Sequence, residues 1–500
     1  MTDVQLARRM RALAGTATDG TTALPRFIQD QLVKLYNIVV SNREELVQAL
    51  RAGGLSETES EIEAAQSLAH IQALGLHELD FLAYKKKREA RMRKDGVIEK
   101  GRGVMVIQAD PGAGLFSTIV PLATAIAGSN GAIILLASLP DPLKTLLRAK
   151  LTAALDRSAF LFDSDSSLEA LVAQEILPAD SLLVARNAPA SSSVSLGSQP
   201  GRSGATVLVD RLRPSPLLPR LARLVVRGTV HGGGRLSGSV ARVLVHIETA
   251  PALVDALLME IRAAYGSDPA LSSDLARCAT EEDAQELVRE VRREVEKGAG
   301  RILCGGALER REKGNLVAPT LVENPSRDFL SRTLAGPVCS IATFGSHEDA
   351  LCTLASIDTQ ALFAFSDEQE TLEYLAQETD VRAFYANDIP LGALYDPLRV
   401  YTDVARYQRQ VHYAPPPRLP SALADSLFAP FTPARRALLA KLLPKTAMSL
   451  RRTKFAHPIL RVFFLQGVFL TVGTVLTVML GSTGYGLYSL ARRFLFPRNW

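Results

Sequence analysis

The strongest constraint on the fold is an alternation, in which short apolar runs are separated by stretches of helical periodicity. Residues 104–107 and 132–136 read as buried strands, and a helix-like run at 117–127 lies between them. Strands spaced by helices imply βαβ units and a parallel sheet, hence an α/β chain. The pattern continues with a strand at 206–209, a β-branched strand at 240–247 and a helix at 251–265 that ends near Gly266. Residues 280–297 read as an amphipathic helix with Leu287, Val288, Val291 and Val295 on its apolar face. Thr280 with Asp283 resembles a capping box there, and Gly298 is placed to stop the helix. Ahead of the alternation, 25–94 reads as helices, with one apolar face through Phe27, Leu32, Leu35, Ile38 and Val39 and another over 61–76. The Ser-, Gly- and Pro-rich stretch 189–205 is expected to be a loop, and 414–433 a Pro-rich linker. There is no internal repeat.

Composition narrows the class further. An apolar fraction of 47% with 22% charged residues is an ordinary globular balance, which excludes a disordered, collagenous or polytopic membrane chain. The net charge of +5 in 500 residues does not argue for nucleic acid. Cys278, Cys304, Cys339 and Cys352 include no C-x-x-C pair, which excludes a disulfide scaffold and a Cys-rich zinc module and points to a reduced, cytosol-facing chain. No apolar segment follows Met1, so no secretory signal is expected. From Val462 to Ala491, however, no residue is charged. About 20 apolar residues span a bilayer core, so a C-terminal membrane anchor is expected. The near flank carries Arg435, Arg436, Lys441, Lys445, Arg451, Arg452, Lys454 and Arg461, against Arg492, Arg493 and Arg498 on the far flank. That asymmetry places the large N-terminal part in the cytosol. The basic, leucine-containing stretch 433–455 reads equally as a membrane-surface segment or a solvated linker.

Three short motifs invite chemistry. Asp110-Pro111-Gly112-Ala113-Gly114 follows a strand and precedes a helix, the setting of a phosphate-binding turn, but lacks the third Gly of G-x-G-x-x-G and the Lys of a P-loop. His231-Gly232-Gly233-Gly234 is similar to the oxyanion loop of lipases, and would pair His231 with Ser237 in ester chemistry, yet no G-x-S-x-G elbow occurs. The seven His residues are scattered without H-x-x-x-H spacing, so no metal site is expected.

The segment 296–321, E-K-G-A-G-R-I-L-C-G-G-A-L-E-R-R-E-K-G-N-L-V-A-P-T-L, resembles a hallmark of the aldehyde dehydrogenase superfamily. Leu334-Ala335-Gly336-Pro337-Val338 resembles that family's E-E-x-F-G-P-V, and Ala386-Asn387-Asp388 with Leu391-Gly392 resembles its N-D … P-F-G-G segment. Ser346-His347-Glu348-Asp349-Ala350 is similar to a family helix start, and Thr118-Ile119-Val120-Pro121 to the helix after the family's catalytic Asn. The resemblance covers roughly 24–413, is strongest over 255–390, and together with the anchor points to the fatty-aldehyde branch. It implies a Rossmann-like domain, an α/β catalytic domain and a β-rich bridging part that drives dimerisation. With the anchor, the chain divides into an N-terminal tail (1–24), a Rossmann-like domain (25–210) with a bridging hairpin near 96–108 and a catalytic-type α/β domain (211–395). A bridging strand (396–413), a Pro-rich basic linker (414–458), a transmembrane helix (459–491) and a short tail (492–500) follow.

The family's chemistry uses a Cys nucleophile, NAD or NADP as hydride acceptor and a Glu that activates water. Carried onto this chain, the nucleophile position falls at Ser237, within Gly234-Arg235-Leu236-Ser237. The oxyanion Asn falls at Gly112, the ribose-binding Lys at Leu136, the nicotinamide-ribose Glu at Thr333, and the Gly-rich pyrophosphate turn near 163–167, which has no Gly. No Asp or Glu lies between Asp180 and Asp210, where the general base belongs. Six functional positions are thus replaced together. A serine hydroxyl without an adjacent base is a far weaker nucleophile than a thiolate. The expectation is a tail-anchored pseudoenzyme that binds no cofactor and acts as a scaffold, as a homodimer or as a heterodimer with a related aldehyde dehydrogenase. Its membrane would be the endoplasmic reticulum or another organelle membrane. The alternative is an NAD(P)-dependent fatty aldehyde dehydrogenase with displaced residues. Cys339 is then the nearest substitute thiol, against its reading as a buried strand residue.

Overall fold

The computed structural model describes residues 3–78, 96–163, 165, 182–184, 195–196, 204–212, 217–266, 269, 272, 274–277, 281–298, 300–311, 314–357 and 359–412. The expected linker and membrane helix, from 413 on, and Thr280 lie outside the described residues.

The chain begins with helices α1 (Asp3–Thr18), α2 (Pro25–Ser41), α3 (Arg43–Ala52) and α4 (Glu57–Glu78). Then come β1 (Val97–Gly101), β2 (Val104–Gln108), α5 (Phe116–Ala127), β3 (Gly131–Leu135), α6 (Asp141–Ala154), β4 (Phe160–Asp163), β5 (Leu182–Val184) and β6 (Ser195–Leu196). The second half holds β7 (Ala205–Val209), α7 (Leu217–Val230), β8 (Val240–His246), α8 (Ala250–Tyr265) and α9 (Glu281–Glu296). Next are β9 (Arg301–Cys304), β10 (Leu308–Arg311), β11 (Gly314–Val317), β12 (Thr320–Glu323), α10 (Arg327–Ser331), β13 (Val338–Phe344) and α11 (His347–Ala355). The last described elements are β14 (Ala361–Phe365), α12 (Gln369–Glu378), β15 (Ala383–Ala386), α13 (Leu391–Tyr395) and β16 (Gln408–His412).

Two sheets organise these elements. The first is parallel, in the order β4-β3-β2-β5-β6, as a Rossmann-like sheet requires. The pleat of β2 and β3 divides their apolar side chains between two cores. Val104, Val106, Ile133 and Leu135 face Met10 and Leu13 of α1, whereas Met105, Ile107, Ala132 and Ile134 join the main core. Residues 3–18 are therefore a docked helix rather than a tail. The second sheet runs β15-β14-β7-β8-β13-β12-β9 and is parallel except for the edge strand β9.

Three further expectations change. β7 pairs with β8 and β14, so it belongs to the second sheet rather than to a first domain ending at 210. Residues 96–108 are not a hairpin. β1 pairs antiparallel with the distant β16, Val97 opposite His412, while β2 lies inside the parallel sheet between β3 and β5. Gly103, at φ 119°, turns the chain between these two roles. The expected loop 189–205 contains the short strand β6, paired parallel with β5.

Helix α4 positions the site. Its buried stripe is largely polar at its N-terminal end: Ser56 just ahead of it and Glu59, Ser60, Glu63 and Ser67 are buried with Ala64, followed by Ile71 and Leu74. It packs on α5, every residue of which is buried.

A candidate site held by two buried carboxylates

Ser237 lies between the turn His231–Gly234 and β8, and only 8% of it is exposed. Its hydroxyl donates to the carbonyl oxygen of Tyr395 at 2.9 Å, and the Gly238 N–H donates to Leu394 O, also at 2.9 Å. α13 is thus strapped across the nucleophile position. The turn ahead of it needs its glycines. Gly234 has φ 68°, and a Cβ there would lie 2.1 Å from Gly336 O.

His231 does not serve Ser237 as a base. Its Nε2 faces the Tyr395 hydroxyl at 2.9 Å, and its Nδ1 lies 4.0 Å from Glu59 Oε1. Burial, helped by Arg227, lowers the imidazole to about 4, so it is neutral and the Glu59 contact is not an ion pair. The ester chemistry expected of a His231–Ser237 pair therefore lacks its base-to-nucleophile hydrogen bond.

Gly112 is buried in the turn between β2 and α5. That turn satisfies its own amides. Asp110 Oδ1 accepts from Gly112 N at 3.0 Å, and Glu63 Oε1 accepts from Leu115 N and Phe116 N at 2.8 and 2.9 Å. Protein carboxylates already occupy the donors that would face a phosphate, so it is an ordinary βα turn.

Glu59 does the same for the second turn, accepting from Gly232 N at 2.8 Å through Oε1 and from Ser56 N at 3.0 Å through Oε2. Phe116 and Tyr395 pack against each other at the site with tilted rings, their centroids 4.8 Å apart. The structure thus brings the Gly112 and Ser237 segments to one place, around Glu59, Glu63, His231 and Tyr395. Sequence reasoning missed the two carboxylates. Their signal is an i,i+4 Glu pair sharing a helix face with Ser56, Ser60 and Ser67, a stripe too small and polar to mark a surface salt-bridge face.

The other expected positions lie apart from this cluster. Leu136 follows β3, is fully buried, and donates its N–H to Asp163 O at 2.7 Å. Thr333 Oγ1 accepts from Gly204 N at 2.9 Å and from Arg242 Nη2 at 2.7 Å. Arg242 is 1% exposed and also donates to the carbonyl oxygens of Leu330 and Ser331. At the end of β4, where a pyrophosphate turn would stand, Asp163 presents a buried carboxylate that accepts from Asp165 N. An apolar side chain, a hydroxyl already bonded to Gly204 and Arg242, and a buried acidic side chain are not the donor groups that a dinucleotide's ribose and phosphates need. Cys339 is a fully buried residue of β13, and burial pushes its thiol up to about 12. Among the described residues, no group of His, Cys, Asp and Glu is arranged to hold a metal, and no helix is long and apolar enough to cross a membrane.

Residues 218–398 match the family model described as "Aldehyde dehydrogenase family". Over 151 residues the chain is 29% identical to an aldehyde dehydrogenase of Craterostigma plantagineum, a match spanning 29% of this chain and 30% of that protein. A longer match, 25% identical over 387 residues, covers 74% of this chain and 78% of a family 3 aldehyde dehydrogenase of Arabidopsis thaliana. Among solved structures, the substrate-bound AldH of Staphylococcus aureus has the same fold, with TM-score 0.69 and 16% identity over 88% of this chain and 100% of that one. Residues 218–398 are thus similar to the aldehyde dehydrogenase family, and the two sheets share the fold of a solved aldehyde dehydrogenase.

Proposed function

We propose that this chain is a membrane-anchored aldehyde dehydrogenase-like scaffold that carries out no dehydrogenation and binds no nicotinamide cofactor. One observation carries the reading. The residue at the nucleophile position, Ser237, is buried with its hydroxyl given to the carbonyl of Tyr395, the last residue of α13. Oxidation of an aldehyde needs a nucleophile free to attack and a cofactor held about 3 to 3.5 Å from the reacting carbon. The substitutions at Leu136 and Thr333 count against the second requirement. The uncharged run from Val462 to Ala491 supports a single C-terminal span with the family domain in the cytosol, in the endoplasmic reticulum or another organelle membrane. The bridging strands support association with a second copy or with an active relative.

A second reading, an NAD(P)-dependent fatty aldehyde dehydrogenase with displaced residues, has one observation in its favour. Glu59, His231 and Tyr395 form a chain of polar groups beside Ser237. Calorimetry with NADH and NADPH, together with assays on medium- and long-chain aldehydes, separates the two. The scaffold reading expects no binding and no turnover, and Ser237→Cys is expected to restore neither. Steady NADH production by the unmodified protein would overturn it.

A further inference from the structure

Helix α4 carries two buried carboxylates one turn apart, and each holds a turn from a different sheet. Glu63 secures Leu115 and Phe116, on the segment leaving β2 of the first sheet, and Glu59 secures Gly232, on the segment entering β8 of the second. Both bonds to Glu63 end on Oε1, so Oε2 is the oxygen that can carry a proton without displacing either amide. Charged and titratable groups face this pair from every side: Asp110 from the turn after β2, His231 and Arg235 from the glycine turn, Arg227 from α7, Tyr265 from α8 and Tyr395 from α13. The groups that bear electrostatically on Glu63 are Asp110 and Glu59, both acidic.

We propose that Glu59 and Glu63 form a proton-dependent brace between the two sheets: with a proton on Glu63 both turns are held against α4, and loss of that proton loosens them together. Two carboxylates buried one helical turn apart do not both ionise without opposing each other. Burial, with Asp110 and Glu59, pushes Glu63 up to about 7 despite the two amides that favour its charged form. Burial raises Glu59 as well. An opened state returns Glu63 to water and to its ordinary value of 4.5. A raised acid stabilises the closed state fully below 4.5, and that contribution is lost as pH rises to about 7. The opening constant therefore grows by about tenfold per pH unit across that window and levels off above it.

Hydrogen exchange on the full-length protein in detergent tests it, followed in peptides covering 112–118 and 230–235 from about pH 5 to pH 8, with the intrinsic pH dependence of exchange removed. Exchange in both peptides is expected to rise together, by about a hundredfold in all, and then to level near neutrality. Glu63→Gln, whose amide replaces the protonated acid, should keep the low-pH protection throughout. Glu59→Gln should move the plateau to lower pH by removing one acidic neighbour. An unchanged pH response in Glu63→Gln, or a response at 112–118 with none at 230–235, would refute the brace.

Discussion

A cysteine close to a family motif is not thereby a nucleophile. Cys339 follows Gly336-Pro337 in sequence, but its side chain points into the main core, where burial keeps the thiol protonated. Cys352, on α11, is exposed. Alkylation of the native protein is therefore expected to label Cys352 about a thousandfold faster than Cys339. Peptide mapping by mass spectrometry reads this directly, and labelling of Cys339 at a comparable rate would revive it as a catalytic thiol. Spacing from recognisable motifs is enough to place Ser237, Gly112, Leu136 and Thr333. It says nothing of Glu59 and Glu63, because a carboxylate on an amphipathic helix looks the same in sequence whether it meets water or two backbone amides. Tyr395 was equally hidden, since its hydroxyl and its carbonyl serve different partners 164 and 158 residues away.

At the scale of elements, the buried Arg242 ties β8 to the end of α10 and to Thr333 just beyond it. Its guanidinium donates to the carbonyl oxygens of Leu330 and Ser331 and to Thr333 Oγ1. Lysine carries its donors on one nitrogen and cannot reproduce that planar fan. Arg242→Lys is expected to destabilise the fold by about 2 kcal/mol or more, through buried carbonyls left without donors. Urea unfolding measures this, and a change under about 0.5 kcal/mol would mean that the fan is dispensable. Helices and parallel strands were readable because their periodicities are local. The pairing of β1 with β16 was not. Both are short, mixed-polarity strands that pair with each other, and nothing in 97–108 alone distinguishes a hairpin from a strand borrowed by a distant partner. The helix at 3–18 gives little sequence signal, because its described contact with the first sheet rests on Met10 and Leu13 with only the small Ala14 and Ala17 beside them.

At the scale of the molecule, residues 1–415 form one compact unit with its own core. Deleting 456–500 is expected to leave that unit folded and release it from membranes, because the deletion removes the uncharged run from Val462 to Ala491. Sedimentation without detergent and an unchanged thermal transition are the checks. Membrane association that persists in the truncated protein after a salt wash would place an anchor elsewhere. The β1–β16 ribbon also has a consequence for biosynthesis. Val97 finds its partner only at His412, 412 − 97 = 315 residues later. At roughly 5–20 residues per second a ribosome needs about 16 to 63 s to make that stretch. For all that time β1 is an unpaired strand on a growing chain, open to the wrong neighbour. Glu99, Lys100 and the adjoining Arg102 make it charged, which makes it a poor template for a second nascent chain while it waits.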